Sequence, residues 1–270
     1  MCELLAMSAN VPTDICFSFS GLMQRGGNTG PHSDGWGVTF YEGKGCRSFK
    51  DPMPSAHSPI AELVTKYPMK SEAVICHIRQ ANSGEVCLEN THPFVRQMWG
   101  RNWTYAHNGQ LKDFERELPI EFHLPIGTTD SEHAFCWILD QLHLEFGTKE
   151  VEAKHIFTFI ASLAAKIDVL GVANIIITNG EYLFAYCSNN LHWLTRKAPF
   201  GQASLIDAEM AVDFQKETTS NDIVTVIATK PLTDNETWHK MQAGQWQLFC
   251  LGELVFGDLV QVQTAQETHV

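Results

Sequence analysis

The sequence contains no run of eighteen apolar residues, the length a helix needs to cross a bilayer, so no helical membrane span is expected. It also lacks any basic run: 19 Lys and Arg face 31 Asp and Glu, a formal net charge of -12. Such a chain is poorly suited to neutralising a row of phosphates, which argues against nucleic acid and anionic membranes as partners. The opening MCELLAMSANVPTD has no positively charged lead and does not read as a secretory signal. Eight cysteines are scattered at 2, 16, 46, 76, 87, 136, 187 and 250 without a CxxC pair, which predicts free thiols in the cytoplasm rather than a disulfide framework. None of the twelve histidines forms HExxH, and His32 with Asp34 or His77 with Cys76 are isolated pairs without ligand spacing. Walker, dinucleotide and GxSxG signatures are absent as well, so neither a metal nor a cofactor is expected. Internal repeats, low-complexity tracts and interdomain linkers are missing too.

What remains is 270 residues with 44% hydrophobic composition, seven Trp and sixteen Phe, enough to build a large packed interior. Gly21, Gly26, Gly27, Gly30, Pro31, Gly35 and Gly37 read as breaking the first forty residues into loops around short strands. Val38–Tyr41 and Cys46–Phe49 read as a hairpin. Pro59 opens a helix through Lys66, which Pro68 ends. Ala73–Ile78 and Trp103–His107 read as strands, the second running into Asn108-Gly109, a turn signal. Asp130 is expected to cap a helix, and a second helix covers Val151–Ile167. Strands at Ala173–Thr178 and Tyr182–Tyr186 flank an Asn179-Gly180 turn, and Leu191–Thr195 can extend that meander. Asp222–Ala228, Leu248–Leu251 and Leu254–Val262 complete the strand set, and residues 263–270 form a polar tail. The pattern predicts a layered domain dominated by antiparallel sheet, with one domain over residues 2–262.

The sharpest chemical feature is Cys2. Removal of Met1 would place a thiol and an α-amine on one residue, with ordinary pKa values of about 8.5 and about 7.7–8.0. Such an amine can take the thiol proton and return it to a leaving group. By position alone, a cysteine at residue 2 is more often an accident of sequence than a nucleophile.

Six motifs shift that balance: MCELLAMS at the start, HSDGWG at 32–37, HIR at 77–79, NTHPF at 90–94, HNG at 107–109 and GTTDSE at 127–132. In this order they resemble the class-II glutamine amidotransferases, and among them the small stand-alone YafJ-like group. The segment ATKPLTDNETW at 228–238 resembles the same group's carboxyl-terminal sheet region. The resemblance implies an α+β fold, the four-layer αββα sandwich of N-terminal-nucleophile hydrolases, with antiparallel sheets. It also implies a cysteine-dependent amidohydrolase that converts glutamine to glutamate and ammonia through a Cys2 thioester, without a metal or cofactor.

Carried over residue by residue, Asn108 and Gly109 match the oxyanion hole, the first through its side-chain amide and the second through its N–H. Arg79 matches the holder of the substrate α-carboxylate, a task for which a planar fork of donors suits better than lysine. Asp130 matches the acceptor of the α-ammonium. Thr91 and His92 fall in a pocket-wall loop, and His77 is either a substrate contact or a structural histidine nearby. Trp36 is either core or pocket wall, and Arg25 has no defined role. The implied partners are a small molecule, glutamine or a larger γ-glutamyl amide, and a protein that accepts ammonia where ammonia is used elsewhere. A non-catalytic amino-acid-binding or regulatory module is the contrasting reading, since it would keep Arg79 and Asp130 without needing a free Cys2. Oligomeric state is left open.

Overall fold

A computed structural model of the chain describes residues 2–67, 69–81, 84–149 and 151–260. Strand β1 (Glu3–Asp14) runs into helix α1 (Cys16–Gln24) and the hairpin β2 (Trp36–Glu42) and β3 (Gly45–Asp51). Helix α2 (Pro59–Lys66) leads to β4 (Lys70–Ile78), then to the hairpin β5 (Phe94–Met98) and β6 (Arg101–Leu111). A single turn, α3 (Phe114–Glu117), precedes the long helices α4 (Asp130–Phe146) and α5 (Ala153–Val169). Next come β7 (Gly171–Thr178), β8 (Tyr182–Cys187), β9 (His192–Lys197), β10 (Gln202–Ser204) and β11 (Ala211–Asp213). Helix α6 (Phe214–Glu217), β12 (Ile223–Ala228), β13 (His239–Lys240), β14 (Gln245–Cys250) and β15 (Glu253–Leu259) follow.

Two antiparallel sheets carry the body. One has the order β13-β9-β12-β1-β4-β2-β3 and the other β15-β14-β8-β7-β6-β5. The period-two alternation of β1 explains the layering. Leu5, Met7 and Ala9 pack with Phe19 and Leu22 of α1 and Ala61 and Val64 of α2. Leu4 and Ala6 instead pack with Ile176, Leu183 and Phe249 of the second sheet. The outer face of that sheet presents Trp103, Tyr105, Ile175 and Phe184 to Phe135, Leu139, Phe157 and Ile160 of α4 and α5. Each of these side chains contributes about 1.5–3 kcal/mol when fully buried. The result is four layers, αββα, as the resemblance implies.

The structure corrects several local readings. The first forty residues hold a twelve-residue strand and a nine-residue helix rather than loops around short strands. Gly21 lies inside α1, where a β-carbon would press on Leu205 at 2.9 Å. Strand β9 does not extend the β7–β8 meander; it crosses to the other sheet and pairs with β12. Helix α2 begins at Pro59, and its N-cap Ser58 accepts from the Ala61 N–H at 3.2 Å. Pro68, expected to end it, and the tail at 263–270 lie outside the described residues. Among the described residues no helix is long and apolar enough to cross a membrane. All eight cysteines are free thiols.

Candidate active site

Strand pairing delivers the site. Glu3 pairs with Ile78 of β4, so Cys2, one residue earlier, meets the chain just beyond that strand. The Gln80 N–H donates to the Cys2 Sγ at 3.3 Å, and the thiol points back to the Gln80 carbonyl at 3.6 Å. Burial pushes the Cys2 thiol above its ordinary pKa, against the lowering effect of the Gln80 N–H and of Arg79. The resting group is therefore a thiol, and attack from it requires a base.

Arg79 is held at both ends. Its N–H donates to the Gly35 carbonyl at 2.8 Å, its carbonyl accepts from the Asp34 N–H at 3.2 Å, and the Asp34 carboxylate accepts from Ala81 N–H at 2.8 Å. The DGWG segment thus buttresses the chain beside Cys2. The guanidinium Nη1 donates to the Glu85 carbonyl at 2.9 Å, which also accepts from Asn90. Asn90 in turn accepts from the Thr128 N–H at 2.8 Å, tying the Arg79 loop to the start of α4. Gly127 is required there, because a β-carbon would fall 2.2 Å from the Asn90 amide oxygen.

Asp130 is the first residue of α4 and not its cap. Thr129 is the cap, accepting from the Glu132 N–H at 3.2 Å. That frees the Asp130 carboxylate to accept from the N–H of Leu111 at 2.7 Å and of Ser131 at 2.8 Å, at a helix end that favours negative charge.

Asn108 and Gly109 overturn the turn reading: β6 runs straight through them to Leu111. Glycine is needed at 109 for close approach, since a β-carbon would sit 1.6 Å from the Val172 carbonyl oxygen on β7. The control dipeptide Asn179-Gly180 does form the turn between β7 and β8, with Gly180 at φ 89°. The Asn108 amide Nδ2 donates to the Cys2 carbonyl at 2.6 Å, joining the two sheets, and its oxygen is buried without a partner. Beside Asn108 on β7, Asn174 donates to the Asn108 carbonyl at 3.1 Å and accepts from the N–H groups of Ser188, Asn189 and Asn190.

His107 is fixed by its partners. Nε2 faces the Val172 carbonyl at 3.0 Å and must carry the proton, so Nδ1 accepts from the Ser131 hydroxyl at 2.8 Å. His92 stacks on His77 with ring centroids 4.1 Å apart. Neither ring completes a hydrogen bond, although His77 faces the main chain of His107. Burial, then the neighbours His107 and Arg79, pushes His77 down to about 3, and burial also drives His92 well below its ordinary value.

A pocket of about 40 Å³, partly open to solvent, brings together Cys2, Arg79, His92, Gly109 and Asp130. His77, Thr91 and Asn108 do not line it. Thr91 is fully buried and donates its hydroxyl to the Cys87 carbonyl at 2.8 Å. Trp36 is core, packed on Phe19. Arg25 acquires a position: it pairs with buried Glu3 at 3.2 Å and Asp207 at 2.7 Å and donates to the Pro231 carbonyl, anchoring the residue next to Cys2. A larger cavity of about 500 Å³, between Tyr41, Tyr67 and Glu72, shares no residue with the Cys2 pocket. Sequence reasoning missed Asn174 and Thr229. The first carried no motif, and the second lay in the 228–238 segment noted only as a resemblance.

A cysteine at the head of the central strand of an αββα sandwich is the arrangement of the N-terminal-nucleophile hydrolases, and that is the class this fold defines. The chain belongs to the class-II glutamine amidotransferases, whose family model matches residues 1–269. It is 62% identical over 255 residues to the Escherichia coli (strain K12) protein named "Putative glutamine amidotransferase YafJ", covering 94% of this chain and 100% of that one. A crystal structure of a "predicted glutamine amidotransferase" from Pseudomonas aeruginosa PA01 superposes with a TM-score of 0.76 at 50% identity, covering 94% of this chain and all of the other. A class-II domain protein from Silicibacter pomeroyi shares the fold at a TM-score of 0.52 and 18% identity, covering 92% of this chain and 94% of that one. The chain is thus a cysteine-dependent glutamine amidotransferase.

Proposed function

We propose that Cys2, freed of Met1, is the nucleophile that hydrolyses the side-chain amide of L-glutamine to glutamate and ammonia. The observation that carries this is the meeting of Cys2, Gly109, Arg79 and Asp130 at one pocket. The Arg79 guanidinium and the Asp130 carboxylate supply opposite charges for the α-carboxylate and α-ammonium of a free amino acid, leaving its side-chain amide for the thiol.

The thiol proton passes to the Cys2 α-amine as the Sγ–carbon bond forms. The Asn108 amide and the Gly109 N–H stabilise the oxyanion. The α-ammonium then protonates the leaving nitrogen, the carbon–nitrogen bond breaks, and ammonia departs. Water, deprotonated by the same amine, splits the thioester to glutamate and restores the thiol. The hydrogen bonds at Sγ support the amine as base, because its partners are the main-chain groups of Gln80. The two hydrogen-bonded nitrogens of His107 are committed to Val172 and Ser131. The low pKa of His92 makes it a poor proton acceptor.

Ammonia and glutamate release from L-glutamine, by protein verified by intact mass to lack Met1, tests the reading with Cys2→Ala as control. Turnover abolished in Cys2→Ala is expected. Equal turnover in both proteins would remove Cys2 from the mechanism. Turnover of a γ-glutamyl anilide but not of glutamine would redirect the site to larger γ-glutamyl amides. Ammonia release stimulated by an added protein would identify an accepting partner.

A further inference from the structure

We propose that Thr229 is a positioning residue for the reaction at Cys2, locking the Asn108 carboxamide and the head of β1 into one frame. The inference rests on the roles of Cys2 and Asn108 given above. Register places Thr229 there: Leu5 pairs with Ala228 of β12, so the next residue falls beside Leu4.

Thr229 serves both main-chain groups of Leu4. Its N–H donates to the Leu4 carbonyl at 3.1 Å, and its hydroxyl oxygen accepts from the Leu4 N–H at 2.8 Å. The second contact is unusual for a strand neighbour, because a side chain replaces the carbonyl that a continuing ladder would supply. The same oxygen lies 3.4 Å from the Asn108 Nδ2. One hydroxyl therefore takes an N–H from the first sheet and an N–H from the second. The residue is 2% exposed, so no solvent is at hand to replace it. Its carbonyl is fixed in turn by the His192 ring at 3.1 Å.

An amide nitrogen has two hydrogens. In Asn108 one points to the Cys2 carbonyl and the other to Thr229. To stabilise an oxyanion, the hydrogen now shared with the Cys2 carbonyl must be met by the substrate oxygen, in the fixed plane of the amide. A neutral acceptor that holds the second hydrogen keeps that plane without competing for charge. Preorganisation of this kind acts when charge develops and adds little to ground-state binding. Thr229 thus acts through Asn108 and not on substrate.

The test compares Thr229→Val with Thr229→Ser in Met1-free protein. Three rates are read: kcat for glutamine, KM for glutamine, and alkylation of Cys2 by iodoacetamide, a reaction that builds no oxyanion. The expected result for Thr229→Val is a fall in kcat of about 10- to 100-fold, with KM and the alkylation rate each within about threefold of wild type. Thr229→Ser, which keeps the oxygen, recovers most of kcat. Unchanged kcat in Thr229→Val overturns the proposal, as does a parallel fall in turnover and alkylation, which would mean a displaced strand. Should Thr229→Val not fold, Thr229→Ala is judged by the same criteria. A wild-type protein inactive on both glutamine and a γ-glutamyl anilide would overturn the functional reading itself, an outcome distinct from active wild type with an unaffected variant.

Discussion

The side-chain amide of Asn108, in one sheet, donates a 2.6 Å hydrogen bond to the main-chain carbonyl of Cys2, at the head of the central strand of the other. The relationship sets the proposed nucleophile and the proposed oxyanion donor by a single contact across the sandwich. Asn108→Ala is expected to lower kcat by about 10²- to 10³-fold, the usual loss for one such donor. Steady-state kinetics with glutamine checks it, and a variant within threefold of wild type would exclude the role.

Arg79 offers a fork that lysine lacks. Arg79→Lys is expected to raise KM for glutamine by about 10- to 100-fold while kcat changes less, since charge-assisted hydrogen bonds contribute about 1.5–3 kcal/mol. Titration of glutamine into inactive Cys2→Ala gives the same comparison without turnover. Equal affinity in the Arg79→Lys background would place the α-carboxylate elsewhere.

The raised pKa of the Cys2 thiol has a direction that can be measured. With the thiolate disfavoured, alkylation of Cys2 should be slow at pH 7 and should climb with pH beyond the range of an ordinary cysteine, about 8.5. Peptide mapping after timed iodoacetamide exposure reads this at Cys2 alone. A rate that levels off below pH 8 would contradict it.

The stacked pair His77 and His92 predicts an acid-side loss of stability. Both folded pKa values are depressed, His77 to about 3, against about 6.5 in an unfolded chain. Below pH 6.5 the unfolded state binds protons that the folded rings refuse, so stability falls as pH drops through that window. Each ring contributes up to about 1.4 kcal/mol per pH unit. Urea midpoints at pH 7 and pH 5 should show the decline, and His77→Phe should flatten it. An identical decline in the variant would assign the effect to other groups.

Glycine positions supply a control for packing. Gly109→Ala would drive a methyl into the Val172 carbonyl, whereas at Gly201 a β-carbon meets nothing within 4 Å. Thermal melts should show Gly109→Ala destabilised by more than about 3 kcal/mol and Gly201→Ala within about 1 kcal/mol of wild type.

Much of the site was readable because its residues come in short, ordered motifs. What failed did so for physical reasons. Strand β1 is buried on both faces over its first residues, so it shows no polar alternation to betray it. Helix α1 carries neither a capping side chain nor acidic residues in its first turn. Asn108-Gly109 carries the chemistry of a turn, yet a distant partner, Val172, dictates the glycine. Local sequence does not record what lies across a sheet. The same blindness hid Asn174 and Thr229, whose contacts to Asn108 span 66 and 121 positions. Helix α2 was legible because Pro59 acts within its own turn.

The neighbours of β1 have a consequence for the order of assembly. Its partners are β4, some seventy residues on, and β12, where Leu5 meets Ala228. As the chain leaves the ribosome, β1 cannot gain its second neighbour until residue 228 has appeared. Contacts so distant in sequence carry a large closure entropy and form slowly. Strand β1, made well before β12, is therefore enclosed late, and the thiol at its head is seated only after residue 228 has been made.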